Sequence, residues 1–224
     1  MVLSKLIFLY ALPTRLVKPT TIDLLDIRAQ ETSAEFVESF GKNAMLFRER
    51  EEFWKYAINQ VSIPGIYAEF GVSWGKSLTR LANFAPRDSL FYGFDSFQGL
   101  QEDFTGTNFA VGAFSTGGVL PKVPANVKLV PGWFRDSIPK FLREIDYDFC
   151  FLHLDADTYD STIEVLTLIR KRITSGCIVV FDEYIGVPNW QNNEHKAWSE
   201  FTKKHRIKFE FIAFAPQGAA LRVI

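Results

Sequence analysis

Cysteine is almost absent from this 224-residue chain: there are two, Cys150 and Cys177, both inside apolar runs of the kind that form strands. A free thiol there packs as a small hydrophobe, and two thiols without framework spacing exclude a disulfide scaffold, so a reducing cytoplasm is the expected location. An excess of charge of either sign is also lacking. Lys plus Arg number 25 and Asp plus Glu 26, a net charge of −1 with no long basic run. The electrostatic footprint needed to hold a phosphate backbone is therefore missing, and no nucleic-acid partner is expected. No apolar run approaches the roughly 18 residues that span a bilayer, so no membrane partner is expected either. Near the N-terminus, residues 6–12 are apolar and follow Lys5, but Pro13, Arg15 and Lys18 come next instead of a small-residue cleavage site, and the stretch is not read as a signal peptide.

Apolar residues make up 47% of the chain, which excludes disorder, and the length suits one α/β core. The 22 phenylalanines mostly lie in apolar runs next to glycine or acidic residues, as core and as the aromatic wall of a small-molecule pocket. Residues 1–45, punctuated by Pro13 and Pro19, read as an N-terminal extension or lid, and 46–224 as the main domain. Phe47, Trp54, Ala57 and Ile58 mark an amphipathic helix ending before Pro64. Strands at 66–70, 90–94, 127–130, 149–154 and 177–181 then alternate with helices at 77–84, from about Ser137, at 161–172 and at 194–204. Near-continuous apolar strands between helices predict a doubly wound, mostly parallel sheet covered on both faces. The last two runs, 208–214 and 219–224, have too short a connection for a crossover, so about seven strands with a C-terminal antiparallel hairpin are expected. The connection 96–126, holding Phe97, Phe104, Phe109 and Phe114, is long enough to be functional.

Three constellations carry chemistry. Glu69-Phe70-Gly71-Val72-Ser73-Trp74-Gly75-Lys76-Ser77 sits at a strand-to-helix junction, where small residues admit a ligand to the backbone. Asp95 ends the next strand, the place from which a carboxylate reaches ribose hydroxyls. The plain alternatives are a tight turn and a turn-forming aspartate. The same loop matches G-x-S-x-G, but here it follows the first confident strand, whereas a hydrolase elbow follows several, so a serine hydrolase is rejected. His195 and His205 fall on a charged helical segment and are read as solvated. His153, inside an apolar strand, is read as a hydrogen-bonded core residue, and Trp133 either stacks on a cofactor base or closes the core.

Further along the chain, His153-Leu154-Asp155-Ala156-Asp157 and Phe181-Asp182-Glu183-Tyr184 close two strands. As parallel neighbours these would lie about 4.8 Å apart, bringing four carboxylates to the carboxyl edge, where open α/β sheets bind ligands. That many like charges call for a hard cation such as Mg²⁺. Helix capping is the competing role, and for Asp160 it is the preferred one. The two-residue spacing at the end of an extended strand aims Asp155 and Asp157 to the same side.

In these segments the chain resembles the macrocin O-methyltransferase-like family of class I S-adenosylmethionine-dependent methyltransferases. The matching pieces are residues 67–77, 92–100, 132–134, 152–162 and 180–184, followed by Trp190, Glu194, Lys196 and Ala197. The resemblance implies Mg²⁺-dependent methyl transfer from S-adenosylmethionine to a hydroxyl of a small-molecule acceptor, typically a sugar on a natural product. It implies a cofactor site of Glu69, Gly71, Val72, Ser73, Gly75, Ser77, Asp95, Ser96, Phe97, Trp133 and Asp155. Asp155, Asp182 and Glu183 would be metal ligands, Asp157 the general base with a nearby His as alternative, and a homo-oligomer is allowed. The chain departs from the family at Gln98 and Gln101, where Glu and Pro are usual, and in its N-terminal segment. A metal-dependent glycosyltransferase using Asp155-Ala156-Asp157 leaves the Glu69–Ser77 loop without a role. A nicotinamide dehydrogenase would leave the acidic rim idle, and a non-catalytic scaffold would have no use for four rim carboxylates.

Overall fold

The computed structural model describes residues 18–224; the apolar stretch 6–12 lies outside the described residues. The order is α1 (Thr21–Phe40), β1 (Met45–Leu46), α2 (Arg50–Asn59), β2 (Ile66–Phe70), α3 (Lys76–Phe84), β3 (Phe91–Asp95), β4 (Val127–Pro131), α4 (Phe134–Glu144), β5 (Phe149–Leu154), α5 (Tyr159–Ile169), β6 (Ile173–Phe181), α6 (Glu194–His205), β7 (Phe209–Phe214) and β8 (Ala219–Val223). One eight-stranded sheet runs β1-β7-β8-β6-β5-β2-β3-β4. Strands β6, β5, β2, β3 and β4 are parallel, and β8 lies antiparallel between β6 and β7. The chain winds outward from β2 to β4, then returns to β5 on the other side, so the topological switch point falls between β2 and β5.

Alternation along the strands divides the core. Ile66, Ala68 and Phe70 of β2 face α4, α5 and α6 together with Leu152, Leu154, Val179 and Phe181. Tyr67, Phe151, Ile178 and Val180 face α2 and α3. Because both faces are covered, β2 and β5 are buried along their whole length, the reason they read as unbroken apolar runs.

Several details differ from the sequence reading. Among the described residues there are eight strands, against about seven expected. The extra one, β1, is two exposed residues paired parallel with β7, too short to carry a period-2 signal. The N-terminal extension contains α1, opened by a capping box in which Thr20 and Asp23 bond reciprocally. It buries Ala29 and Ser33 and packs half-buried Phe36 and Val37 on the core, while Ile22, Leu24 and Leu25 are exposed, so its apolar residues do not mark the packed face in the sequence. Helix α2 starts at Arg50 and leaves Phe47 outside, and α4 starts at Phe134, which drops into the core with Trp133 at the cap position. Strand β6 begins at Ile173, ahead of Cys177, with a register irregularity against β5. The cap of α5 is Thr158, which accepts from Ser161 N–H; Asp160 is in the first turn instead.

His195 is not solvated. Its ring stands edge-on to Phe36 of α1 (5.2 Å between centroids), Tyr184 (5.1 Å) and Trp190 (4.9 Å), and burial lowers its pKa. A charged helix in the sequence gives no sign that α1 supplies one of these three walls. His205 lies partly exposed in the last turn of α6.

Two predictions follow from this packing. Phe70 is fully buried and stacks on Phe94 at 4.7 Å, so Phe70→Ala should cost about 3–5 kcal/mol in urea unfolding, and Leu46→Ala on exposed β1 no more than about 0.5 kcal/mol. Below about pH 6.5 the unfolded chain protonates a histidine that the fold keeps neutral, so His195 contributes a loss of stability as pH falls. The drop in Tm between about pH 7.5 and 5.5 should therefore be smaller in His195→Phe than in wild type.

Candidate active site at the carboxyl edge of the sheet

The residue after each central strand donates its N–H to the last carbonyl of the neighbouring strand. Asp182 bonds Leu154 O (3.0 Å), Asp155 bonds Phe70 O (2.9 Å), Gly71 bonds Phe94 O (3.0 Å) and Gly132 bonds Asp95 O (2.9 Å). Five strands therefore finish level, and the loops leaving them wall one cavity of about 290 Å³. Gly71, Val72, Ser73, Ser77, Asp95, Ser96 and Trp133 line it on one side, and Asp155, Asp157, Asp182 and Glu183 on the other.

The loop after β2 is held by a carboxylate. Asp95 Oδ2 accepts from the N–H of Val72 and of Ser73, both at 2.7 Å, and Oδ1 accepts from Phe97 N–H at 2.6 Å. A carboxylate offers about four lone-pair directions, so Asp95 retains capacity for a ligand hydroxyl. Gly71 (φ 94°) passes so close to β5 that a Cβ would collide with the Asp155 carbonyl. Ser73, at φ 46°, donates its hydroxyl to Phe114 O at 3.0 Å. No histidine among the described residues bonds Ser73, in keeping with the rejected hydrolase reading.

Three expected cofactor residues do not line the cavity. Glu69 is fully buried behind it, Phe97 is core with 1% exposure, and Gly75, at φ 72°, forms the left-handed entry to α3 against Pro121. The Glu69 side chain turns into the sheet, where Oε1 meets His153 Nδ1 at 2.8 Å. Burial raises the Glu69 pKa against the pull of His153. Burial alone would lower the His153 pKa, but Asp182 and Glu69 outweigh it and hold the imidazole at about 10. This residue is thus a buried cation, hydrogen-bonded in the core as its strand position suggested.

At the acidic end, ligand oxygens of Asp155, Asp157 and Glu183 lie within 4.8 Å of one another. The extended geometry expected for Asp157 does not hold: β5 stops at Leu154 and Asp157 is left-handed, φ 61°, and that turn brings it back beside Asp155. Burial, with Asp182 next, pushes the carboxyls of Asp155 and Glu183 well up; burial, then Asp182 and Asp95, pushes that of Asp157 to about 7. The structure does not bring Asp182 into this trio. Its Oδ2 is 3.2 Å from Arg50 Nη1 and its Oδ1 3.7 Å from His153 Nε2, an ion-pair distance. Against the effect of burial, these two cations hold Asp182 below the usual range.

Two residues escaped the sequence reading. Arg50 comes from α2, outside every motif. Glu194 is fully buried at the start of α6, where Oε2 accepts Glu183 N–H at 3.0 Å and fixes the backbone that presents Glu183. It was visible only as one of the matched motif residues.

Residues 68–184 match the family model described as a methyltransferase domain, about half of the chain. The chain belongs to this methyltransferase family. The resemblance read from the motifs is thereby borne out at the level of the family. A mycinamicin III 3''-O-methyltransferase of Micromonospora griseorubida is 30% identical over 96 residues, 43% of this chain and 35% of that protein. A demethyldecarbamoylnovobiocin O-methyltransferase of Streptomyces niveus is 32% identical over 92 residues, 41% and 32%. The match thus spans about a third of the length of these curated relatives. The crystal structure of CalS11, a calicheamicin methyltransferase, superposes with a TM-score of 0.64 over 92% of this chain and 94% of that one at 23% identity, a likeness of fold. No helix among the described residues is long and apolar enough to cross a membrane.

Asp95→Ala would strand three loop N–H groups, at roughly 1–3 kcal/mol for each one that finds no water. It should weaken binding of S-adenosylhomocysteine at least about tenfold by calorimetry, whereas Ser96→Ala, which removes only a bond to Gln98 N–H, should change it by less than about threefold.

Proposed function

We propose that the chain is an S-adenosylmethionine-dependent O-methyltransferase that uses a divalent metal ion and acts on a hydroxyl of a small natural-product acceptor, with a sugar hydroxyl as the preferred class. One observation carries the reading: a single cavity has a glycine loop clasped by Asp95 at one end and three converging carboxylates at the other. The relatives above are named for O-methylation of mycinamicin III and of demethyldecarbamoylnovobiocin, which supports a hydroxyl acceptor. The glycosyltransferase alternative gives the clasped loop no task and has no support in the family match.

The residues fit a hard cation. The donors are all oxygen, and Glu183 Oε2 is buried with no hydrogen-bond partner. Asp155 and Glu183 would hold the ion, with Asp182 as third ligand by motif position. A divalent ion there supplies Lewis acidity that lowers the pKa of an oxygen it binds. S-adenosylmethionine supplies a methyl group already activated on sulfur, so the protein's task is to align and deprotonate an acceptor oxygen. The loop 71–77 with Asp95 would hold the donor, and Trp133 and Phe114, which line the same cavity, would wall it from water. Asp157 is the proposed general base: its left-handed turn sets its carboxyl beside Asp155 in the wall of the same cavity, where it can accept the acceptor's proton.

EDTA should abolish methyl transfer and Mg²⁺ restore it; full activity in thoroughly chelated protein would return the acids to structural roles. Asp155→Asn should weaken metal affinity and recover in part with excess Mg²⁺, because lost binding is regained by mass action. Asp157→Asn should lower kcat by roughly 10²–10⁴-fold with no such rescue. Near wild-type kcat in that variant would move the base elsewhere.

A further inference from the structure

A cation already stands against the acid rim. Arg50, the first residue of α2, places Nη1 3.2 Å from Asp182 Oδ2 and Nη2 3.3 Å from Gln217 Oε1, with its guanidinium 5.7 Å from the centre of the Trp54 ring. The Arg50 side chain is 48% exposed and that of Asp182 5%, so the arginine can turn without disturbing the core. Both residues belong to two walls: that of the active-site cavity, and that of an adjoining cavity of about 260 Å³ bounded by Phe53, Pro216, Gln217 and Gly218. Asp182 is committed to Arg50 on one oxygen and His153 on the other, which is why its oxygens are not among the converging three. Yet by motif position it is a metal ligand.

Resting on the metal-dependent reading above, we propose that Arg50 is the resident counter-ion of Asp182 and exchanges with the divalent cation. On metal loading Arg50 leaves Asp182 and turns toward Gln217, and the freed carboxylate completes the ligand set. The reason is charge. A guanidinium and a divalent ion on one carboxylate repel each other at short range in a poorly solvated site, and of the two cations on Asp182 only Arg50 has room to leave. His153 is fully buried between Glu69 and Asp182. The exchange also changes the adjoining cavity, where a released Arg50 offers its planar fork of N–H donors to acceptor oxygens.

The test is titration of metal-stripped protein with Mn²⁺ by calorimetry, with S-adenosylhomocysteine binding measured in parallel to show that each variant is folded and retains the donor site. Arg50→Gln removes the competitor and should bind Mn²⁺ about tenfold more tightly than wild type, while Arg50→Lys keeps the charge and should stay within about threefold. A second readout follows Trp54: Mg²⁺ should change the emission of wild type as the guanidinium leaves the ring, and the change should be absent from Arg50→Gln and from Trp54→Phe. Equal or weaker Mn²⁺ affinity in Arg50→Gln, with wild type binding normally, would overturn the exchange alone. Failure of every form to bind Mn²⁺ while S-adenosylhomocysteine still binds would overturn the metal reading and the exchange with it.

Discussion

The site depends on a buried ion: His153, with no exposed surface, set between Glu69 on β2 and Asp182 at the end of β6. A cation so placed is costly to desolvate unless both sides are satisfied. Here it links the three central strands β2, β5 and β6, and it determines how the remaining negative charge is distributed. Glu69 and one oxygen of Asp182 are spent on it. Asp155, Asp157 and Glu183 are not paired in this way, and burial first, then the neighbouring Asp182 carboxylate, raises their pKa values. Removing the imidazole would leave Glu69 as an uncompensated buried acid and release Asp182 to repel the trio. The ion at the centre of the sheet and the acidity of the rim are therefore one electrostatic problem.

The donor side solves a different problem, close approach. Gly71 can lie over the Asp155 carbonyl because it has no Cβ, and Asp95 fixes the loop by collecting three N–H groups. The two ends are mechanically joined, since Asp155 bonds Phe70 O through its backbone while its side chain enters the acidic trio. A shift of β5 against β2 would displace the loop after β2 and the acidic trio together.

Much of this was legible in the sequence. Both faces of the sheet are covered, so its strands are continuous apolar runs, and the acids lie at their ends because only there does the backbone leave the core. The spacing from Gly71 to Asp95 and the acidic ends of β5 and β6 placed most of the cavity wall. What could not be read is whatever depends on a contact between distant segments. Arg50 reaches Asp182 across 132 positions of sequence and belongs to no motif. Helix α1 buries alanine and serine, so periodicity misses it, and the box that encloses His195 forms only when Phe36 arrives from that helix. Asp157 was placed on the right side for the wrong reason: a left-handed turn, rather than strand alternation, returns it to Asp155.

The connection 96–126 has no helix or strand, and its order comes from anchoring. Phe97 and Phe104 are buried, Phe97 O accepts from the N–H of Thr116 and Gly118, and Leu100 exchanges backbone bonds with Gly112 and Ala113. Phe114, left-handed at φ 63°, lines the cavity and is tied to the cofactor loop through Ser73. A segment with this many internal bonds behaves as a fixed wall more than as a swinging lid. Its exposed side chains include Phe109, tilted against Phe114 at 4.6 Å, and Val111. The wall beside the Gly71–Ser77 loop is thus fixed in the resting shape, whereas Arg50, in the lining of the same cavity, is half-exposed.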